Sequence, residues 1–371
     1  MRIESREGFD AAVAAARARN AGRRREVLVC CGTGCLANGS MAVADAFAAK
    51  IADQGLDATL LLHTKKTGCH GFCERGPLVV VLPDGILYTK VKPKDVAEIV
   101  DKTVAKGEVI PRLLYKDPVE KKAIERYEDV PFYKHQVRVS MRNIGRVDPA
   151  DLDDALAHGA YAGLARALFD LTPEQAIAEV EASGLRGRGG AGFATARKWK
   201  ATRKAKGDRK FVLCNGDEGD PGAFKDRSIM EGDPHAVIEG MAIGAYAVGA
   251  NEGYIYVRDE YPLAVEHVNL AIANARERGL LGDNILGTGF RFDLRVSRGG
   301  GAFVCGESSA LMRSIEGKVG EPRAKYVHAS DRGLFDLPSV LNNVETWSDV
   351  GAILERGGAW FAGMGTAKSK G

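Results

Sequence analysis

The stretch that decides the fold runs from Gly184 to Asp226. It reads GLRGRGGAGFATARKW, crosses a basic segment, and continues as KFVLCNGDEGDPGAFKD. Its first nine residues hold five glycines, directly after a helical pattern ends. Dense glycine lets backbone N–H groups surround an anion, and a helix predicted from about Ala194 adds its own N-terminal amides. We interpret the stretch as a phosphate-binding loop, because a flexible linker is seldom framed by a helix on each side.

The residues after this loop alternate between strand and helix patterns. Strands are predicted at Phe211–Cys214, Tyr254–Val257 and Arg291–Val296, with helices after Asp233 and at Pro262–Arg278. This alternation is typical of an α/β sheet that binds its ligand at the strand ends. We therefore expect four loops to converge there: 184–198, 215–226, 258–261 and 298–308. The helix directly before Gly184 is predicted at Pro173–Ser183, with Thr172 as its N-cap.

The totals exclude several classes of protein. A chain of 371 residues suggests two to three domains, and a net charge of +3 gives no sign of a nucleic-acid partner. No apolar run approaches the ~18 residues of a membrane span. Acidic residues near the N-terminus argue against a transit peptide, so we expect a cytoplasmic protein, free or peripheral to a membrane complex. In such a chain the seven cysteines are expected to be ligands or core thiols.

The first domain is predicted to span residues 1–106. A surface helix at 7–20 precedes a β-α-β pattern and then a β-β-α pattern, an order that predicts a thioredoxin-like fold. The expected strands and helices after 7–20 are Glu26–Cys30, Asn38–Asp53, Ala58–Leu62, Pro77–Leu82, Ile86–Val91 and Lys94–Lys106. Residues 107–135 carry prolines and charges with little periodicity and are interpreted as a linker. The second domain follows from 136 to 371, beginning with a strand predicted at Val137–Met141.

Five cysteines occupy two loops of the first domain: Cys30, Cys31 and Cys35 after the first strand, and Cys69 and Cys73 before the hairpin. Four thiolates from two loops suit a [2Fe–2S] cluster. Structural zinc usually uses cysteine pairs spaced by two residues, and a thioredoxin-type redox pair needs C-x-x-C, which the sequence lacks. We favour the cluster, with zinc or unliganded thiols as alternatives.

The spacing and the fold resemble the thioredoxin-like [2Fe–2S] ferredoxins, in which a C-x4-C pair is followed by a C-x3-C pair. The resemblance implies Cys30, Cys35, Cys69 and Cys73 as metal ligands, with Cys31 as the spare thiol. A register that uses Cys31 instead of Cys30 stays open. His70 lies between two implied ligands and is expected to act at most on their surroundings.

The second domain resembles the flavoprotein subunit of respiratory complex I, and still more the diaphorase subunits of NAD-linked hydrogenases and formate dehydrogenases. The motifs that carry the resemblance are GLRGRGGAGF, CNGDEGDPGAF, YIYVRDEYP, GGGAFVCGESSAL and LNNVETW. It implies a Rossmann-like α/β domain that binds FMN and NAD(H). The implied cofactor-binding residues are Gly187, Arg188, Gly189, Gly190, Phe193, Lys198, Asn215, Asp217, Glu218, Gly219, Phe303, Gly306, Glu307, Ser308, Lys325, Asn342, Asn343 and Thr346.

Particular roles follow from the same resemblance. Glu218 is given the catalytic role beside the flavin ring, although it and Asp217 could instead cap a following helix. In complex I relatives the position after Glu307 holds a second glutamate near the adenosine ribose, whereas this chain has Ser308. NADH is therefore expected to remain the main donor, with weaker discrimination against NADPH. Cys214 and Cys305 are interpreted as core thiols.

The resemblance implies an FMN-dependent NADH dehydrogenase module that serves iron–sulfur and redox subunits of a hetero-oligomeric complex. A non-catalytic electron-transfer or assembly subunit is the alternative. Relatives continue into a ubiquitin-like domain and a helical [4Fe–4S] domain, whereas this sequence stops at Gly371. We therefore expect it to be a fragment of a longer protein.

Overall fold

A computed structural model describes residues 2–22, 25–56, 62–324 and 326–371. The chain divides into two compact units. One, which we call the cysteine unit, comprises residues 15–138 and 142–158. The other, the parallel-sheet unit, comprises residues 2–14, 139–141 and 159–371. None of the helices in these described ranges combines the length and the apolar character that a membrane crossing requires.

The strands, in chain order, are β1 Arg25–Cys30, β2 Leu62–Thr67, β3 Val79–Leu82, β4 Ile86–Tyr88, β5 Tyr115–Lys116, β6 Ala123–Ile124, β7 Phe211–Gly216, β8 Glu252–Arg258, β9 Asp293–Gly299 and β10 Ser339–Asn343. The helices are α1 Arg6–Ala21, α2 Thr33–Ala37, α3 Ser40–Asp53, α4 Val96–Glu98, α5 Pro131–Lys134, α6 Leu152–Ala157, α7 Ala162–Asp170, α8 Pro173–Ala182, α9 Thr195–Lys204, α10 Lys225–Gly232, α11 Pro234–Val248, α12 Pro262–Glu277, α13 Ser308–Ile315, α14 Ala329–Arg332, α15 Val344–Arg356 and α16 Gly358–Ala362.

The cysteine unit is built on a four-stranded sheet in the order β2-β1-β3-β4. Strand β1 pairs parallel with β2 and antiparallel with β3, which continues into the antiparallel β4. Successive side chains of β1 alternate between two cores, as strand geometry requires. Val27 and Val29 enter one hydrophobic cluster, and Leu28 and Cys30 enter the other. This is the thioredoxin-like arrangement that the sequence predicts.

Several details of this unit differ from the sequence expectations. The helix expected at Asn38–Asp53 is α3, which begins at Ser40 after Gly39 with a φ of 85°, and the short helix α2 before it was not predicted. The strand expected at Ala58–Leu62 lies outside the described residues except for Leu62, where β2 begins. The closing helix continues from α4 into a π-helical turn at Ile99–Val104.

Residues 107–135 are more ordered than the linker interpretation implies. Strands β5 and β6 pair in this segment, and Leu113 and Leu114 are buried in one core of the cysteine unit. Tyr115, Val130 and Tyr133 are buried in the other core. The segment lacks periodicity because its apolar residues pack individually against the sheet instead of forming one amphipathic element.

Residues 142–158 also pack into the cysteine unit, through a buried ion pair. Lys65 is 1% exposed, and its Nζ lies 3.0 Å from the Asp154 carboxylate and 3.1 Å from the Arg146 carbonyl oxygen. The backbone N–H of Asp148 donates to the same carboxylate at 2.9 Å. An isolated buried lysine would be costly, so this pair fixes the segment.

The parallel-sheet unit contains a four-stranded sheet in the order β10-β7-β8-β9, with every neighbouring pair parallel. Helices α11 and α15 pack closely against each other beside it. A Cβ atom on Gly240 would lie 1.9 Å from the Trp347 carbonyl oxygen, so only glycine permits this approach. The Trp347 indole N–H donates to the Leu213 carbonyl of β7 at 3.0 Å, which ties α15 to the sheet.

Sequence patterns located most of the helices of this unit. Asp233 caps α11 through the Ala236 N–H, and Thr172 with Gln175 forms a capping box on α8. The strand predicted at Val137–Met141 is wrong, because these residues form turns and irregular backbone. Strand β10 and helix α15 were not anticipated as elements, since only the motif LNNVETW marked their position.

Candidate functional site

The carboxyl edge of the parallel sheet has one topological switch point. From β7 the chain moves outward to β8 and β9, and β10 then returns to the opposite side of β7. Connections therefore leave β7 and β10 in opposite directions and open a crevice between their ends, where ligands of α/β folds bind. Asn215 and Asn343 are paired in register at the crevice.

The glycine loop folds into a compact turn at this edge. The N–H of Gly187 donates to the Phe193 carbonyl at 2.8 Å, and the N–H of Arg188 donates to Thr346 Oγ1 at 2.9 Å. Gly190 has a φ of 111°, which disfavours side chains, and a Cβ atom there would meet nothing within 4 Å. The loop therefore presents open backbone in front of helix α9, as a phosphate cradle requires.

Two lysines bring positive charge to the crevice. Lys198 Nζ donates to the Leu341 carbonyl at 2.9 Å, and burial lowers the pKa of this lysine. Lys225 Nζ lies 2.9 Å from Asn343 Oδ1 and 3.1 Å from Glu345 Oε2. Lys225 is not among the cofactor-binding residues predicted from the sequence. Its position in the motif GAFKD, inside the acidic loop, is the feature that could have indicated it.

Asn342 and Asn343 are adjacent in β10 but have different surroundings. Asn343 is half-buried, and its Nδ2 donates to Asp226 Oδ2 at 2.5 Å. Asn342 is 2% exposed, and with its amide oxygen turned toward Trp199 it accepts from that indole N–H at 3.1 Å. Asn342 is therefore satisfied within the protein, since neighbouring strand residues point to opposite faces. The contact of Asn342 with Trp199 is that of a residue that supports the structure beside the crevice.

The acidic loop after β7 places one carboxylate in an unusual environment. Asp217 has a side chain that is 1% exposed, and its Oδ2 has no hydrogen-bond partner among the described residues. Arg258 Nη1 lies 3.5 Å from the other oxygen. Burial raises the pKa of Asp217 to about 6, while Arg258 opposes the rise. A buried carboxylate oxygen without a partner is expected where a ligand supplies the donor.

Asn215 fixes this loop against the loop after β9. Its Nδ2 donates to the Gly306 carbonyl at 2.9 Å, and its Oδ1 accepts from the Asp217 N–H at 2.9 Å. A Cβ atom on Gly306 would lie 3.4 Å from Asp217 Oδ2. A Cβ atom on Gly219 would lie 2.7 Å from the Phe303 ring and 3.0 Å from Arg258 Nη1. The loops expected to converge are thus brought together.

The two predicted glutamates cap helices. Both Glu218 oxygens accept backbone N–H groups at the start of α10, from Asp226 and Arg227, at 3.2 Å each. Glu307 Oε2 accepts from the N–H groups of Ser309 and Ala310 in α13, at 2.8 and 2.9 Å. Helix capping is the alternative that the sequence left open for Glu218. The catalytic role of Glu218 stays a prediction.

Two aromatic rings and Ser308, which is predicted to bind the nucleotide, lie at the rim of the crevice. Phe193 is 46% exposed and Phe303 is 69% exposed, and such exposure leaves ring faces free to stack on a planar ligand. Ser308, the first residue of α13, is also exposed. Lys325 lies outside the described residues. Cys214 and Cys305 are buried, as expected of core thiols.

These features fit a flavin phosphate and ring system. The open glycine loop and Lys198 match a phosphate, and Lys225 adds a charge that Asp226 and Glu345 partly offset. The Asp217 oxygen, which has no hydrogen-bond partner among the described residues, matches a donor of the ring system. Arg188 Nε is a second buried polar atom without a hydrogen-bond partner among the described residues. The donor set is therefore suited to a phosphorylated aromatic ligand.

In the cysteine unit, the two cysteine loops meet around three glycines that leave no space for a side chain. A Cβ atom on Gly32 would lie 2.7 Å from Cys69 Cβ, one on Gly34 would lie 2.9 Å from Cys73 Sγ, and one on Gly76 would lie 2.6 Å from Cys35 Sγ. The sulfurs of Cys69 and Cys73 are 3.8 Å apart. Hydrogen bonds from Cys30, Cys73 and the Gly71 N–H lower the pKa of Cys69, which favours the thiolate that metals bind.

The structure separates Cys30 from Cys31. Cys30 and Cys35 share one core of the unit, whereas Cys31 is buried in the opposite core with Val27 and Val29. Burial raises the pKa of Cys31 to about 11. A [2Fe–2S] cluster is held by four thiolates divided between two irons, and the two loops supply four cysteines to one site.

Two parts of the chain match known protein families. Residues 180–352 match the family described as the Nuo51 FMN-binding domain, and residues 17–104 match the thioredoxin-like [2Fe-2S] ferredoxins. The NADP-reducing hydrogenase subunit HndC of Solidesulfovibrio fructosivorans is 52% identical over 238 residues, covering 64% of this chain and 48% of that protein. The alpha subunit of the NAD-reducing hydrogenase HoxS of Cupriavidus necator is 37% identical over 312 residues, covering 82% and 48%.

A solved structure is similar over nearly the whole chain. The NAD+-reducing [NiFe]-hydrogenase in its H2-reduced state has a chain that matches with a TM-score of 0.54 and 26% identity. The match covers 97% of this chain and 58% of that chain. The chain spans about half the length of the curated relatives it matches.

Proposed function

Because residues 180–352 belong to the Nuo51 FMN-binding domain family and residues 17–104 to the thioredoxin-like [2Fe-2S] ferredoxins, we propose that this chain is an NADH-oxidising module. It takes electrons from NADH on FMN and passes them to iron–sulfur centres of a larger redox complex. When bound, FMN accepts a hydride and releases electrons one at a time, which an iron–sulfur cluster can accept.

The crevice between β7 and β10 supports this proposal most directly. The open backbone at Gly190 would hold the flavin phosphate, with positive charge from Lys198 and from Lys225, whose charge Asp226 and Glu345 partly offset. Thr346 and Asn343 act by fixing the loops that bind, since Thr346 accepts the Arg188 N–H and Asn343 bonds to Asp226. Such fixed donors need no rearrangement when the ligand enters, and this pre-organisation favours binding.

The acidic loop orients the reacting rings. Asp217 offers its buried, partnerless oxygen as a hydrogen-bond acceptor to the ring system, and Arg258 holds the opposite oxygen. Phe193 and Phe303 stack on planar groups at the rim and exclude water from them. Glu218 fixes the path of the loop by capping α10. The protein thereby places two aromatic systems against each other, which is its main contribution to hydride transfer.

The proposed partners are other iron–sulfur and redox subunits of a hetero-oligomeric complex. The two relatives compared above are both named as subunits of hydrogenases, one NADP-reducing and one NAD-reducing. Donors and acceptors are small molecules or protein-bound clusters in this proposal, and nucleic acid has no part in it. A cytoplasmic location, free or peripheral to a membrane complex, belongs to the same proposal.

The purified protein tests the proposal through its absorption spectrum and a diaphorase assay. We expect flavin bands with about one FMN released per chain on denaturation, and reduction of ferricyanide by NADH. Protein that carries the cluster but neither flavin nor diaphorase activity would support the non-catalytic electron-transfer subunit instead.

A further inference from the structure

The segment between the two family matches has no assigned role, although it forms a dense aromatic group. Residues 105–179 lie outside both matches. Within them, four aromatic residues pack against the loop Cys69–Cys73, and we call them the aromatic cap: Tyr115, Tyr127, Phe132 and Tyr133. Tyr127 and Tyr133 stack with ring centroids 3.9 Å apart, and Phe132 meets Tyr133 edge-on at 5.0 Å. The cap is therefore one packed unit.

His70 and Phe72, the two side chains between Cys69 and Cys73, are both held by the aromatic cap. The Phe72 ring stacks on Phe132 at 5.3 Å, with an angle of 8° between the planes, and meets Tyr115 edge-on at 5.2 Å. The His70 ring meets Tyr127 edge-on at 5.4 Å, and its Nε2 lies 2.9 Å from Thr67 Oγ1. The loop that carries Cys69 and Cys73 is thus held through both side chains that flank its central glycine.

Phe132 also packs against the residue whose backbone N–H contacts the sulfur of Cys69. The N–H of Gly71 donates to Cys69 Sγ at 3.3 Å. Gly71 has a φ of 77°, and a Cβ atom there would lie 3.5 Å from two atoms of the Phe132 ring. The ring therefore lies directly over the residue whose N–H stabilises the Cys69 thiolate. Groups that hydrogen-bond to cluster sulfurs, and the solvent exposure around them, set the reduction potential.

We propose that the aromatic cap supports the cysteine loop of the [2Fe–2S] site, and that Phe132 is a positioning residue for the Cys69–Cys73 loop. The proposal rests on the proposed function, because it assumes that the four thiolates hold a cluster. Phe132 packs on Gly71 and Phe72 and keeps the loop in its ligating conformation, with the Gly71 N–H directed at Cys69 Sγ. Reduction adds one negative charge to the site, and a hydrogen bond to a ligand sulfur stabilises that charge. Removing the Phe132 ring therefore loosens this bond, lowers the reduction potential and opens the thiolates to competitors.

Phe132→Ala tests the proposal on the cluster itself, with the full chain as purified. We expect iron to be lost to an excess chelator about tenfold faster than from the unchanged protein. The midpoint potential, titrated by electron paramagnetic resonance, should shift downward, because the Gly71 N–H···S bond is loosened. Phe132→Tyr keeps the ring and should keep both values. Val137→Ala is the matched control, because Val137 follows in the same segment and is 84% exposed.

A second variant guards against a local folding defect at Phe132. Arg138 donates to Tyr127 OH at 3.3 Å and lies 5.3 Å from the Tyr133 ring centroid, so Arg138→Ala loosens the cap from outside. It should move both measurements in the same direction, by less. Unchanged chelator kinetics and potential in Phe132→Ala would overturn the proposal, as would equal effects of Val137→Ala. If the unchanged protein binds no [2Fe–2S] cluster, it is the proposed function that fails, and the role proposed for the aromatic cap fails with it.

Discussion

Asn215 and Asn343 are 128 residues apart in sequence, yet they are register partners on the adjacent parallel strands β7 and β10. Asn343 Nδ2 donates to the Asn215 carbonyl oxygen at 3.4 Å, and Asn215 in turn reaches the Gly306 carbonyl. Gly189 faces the same pair, since a Cβ atom there would lie 3.4 Å from Asn343 Cβ. Three separate loops are therefore connected through two amide side chains.

Replacing Gly190 by glutamate is expected to abolish FMN binding. The residue has a φ of 111° and open space in front of it, so the new carboxylate enters the proposed phosphate cradle. The measurement is FMN released per purified chain. Gly289→Glu is the matched control, because Gly289 also has a positive φ (79°) and an empty surrounding. FMN retained at full stoichiometry in Gly190→Glu would show that the loop is wrongly assigned.

Cys69→Ser is expected to remove the [2Fe–2S] signal in electron paramagnetic resonance. NADH-driven reduction of ferricyanide should stay largely intact, because the proposed flavin site uses none of the four thiolates. Cys31→Ser should keep the signal, since Cys31 is buried in the opposite core of the unit. Simultaneous loss of the signal and of diaphorase activity in Cys69→Ser would mean that the two sites are not independent.

Asp217→Asn is expected to stabilise the flavin-free protein in a pH-dependent way. The pKa of Asp217 is about 6 in the folded protein, against 3.8 for an exposed aspartate. Between these values the native state binds more protons than the unfolded state, so stability falls as pH rises, by about 1 kcal/mol per pH unit. Asparagine removes this loss.

Thermal unfolding in the absence of flavin provides the measurement for Asp217→Asn. The variant should gain about 3 kcal/mol over the unchanged protein at pH 7 and nothing near pH 4. Asp259→Asn, at an aspartate whose side chain is 60% exposed near the same edge, should give no such difference. An equal gain at both pH values would contradict the burial of the Asp217 charge.

Ser308→Glu is expected to increase discrimination against NADPH. Ser308 is exposed at the start of α13, and a carboxylate there would repel the 2′-phosphate, whereas a hydroxyl cannot. NADH should remain the better donor for the unchanged protein. Steady-state diaphorase assays with each nucleotide give the ratio of kcat/KM. An unchanged ratio in Ser308→Glu would show that residue 308 does not contact the ribose.

The sequence predicts best those parts of the molecule that depend on local chemistry. Glycine density predicts the proposed cradle, and cysteine spacing predicts the two thiolate loops. The argument for Cys30 over Cys31 as a ligand needs the strand, because the two side chains are buried in opposite cores. Sequence could not foresee the burial of Asn342 against Trp199, since that contact joins elements distant in the chain.

The aromatic cap was missed for a related reason. Residues 107–135 contain prolines and charges, and their aromatic residues follow no helical or strand period. Each ring packs against a residue far away in sequence, as Phe132 does against Phe72. Patterns of period 2 or 3.6 detect regular elements, and irregular segments that fold over a site leave no such pattern.

The position of β10 has a consequence for the order of events during synthesis. Strands β7, β8 and β9 can associate as they leave the ribosome, since each follows its neighbour in sequence. Asn343 and Thr346, which face the glycine loop, are synthesised more than a hundred residues after it. On the proposed assignment of the site, a nascent chain displays the glycine loop long before it can retain FMN, so flavin retention would report that residue 346 has been made and docked.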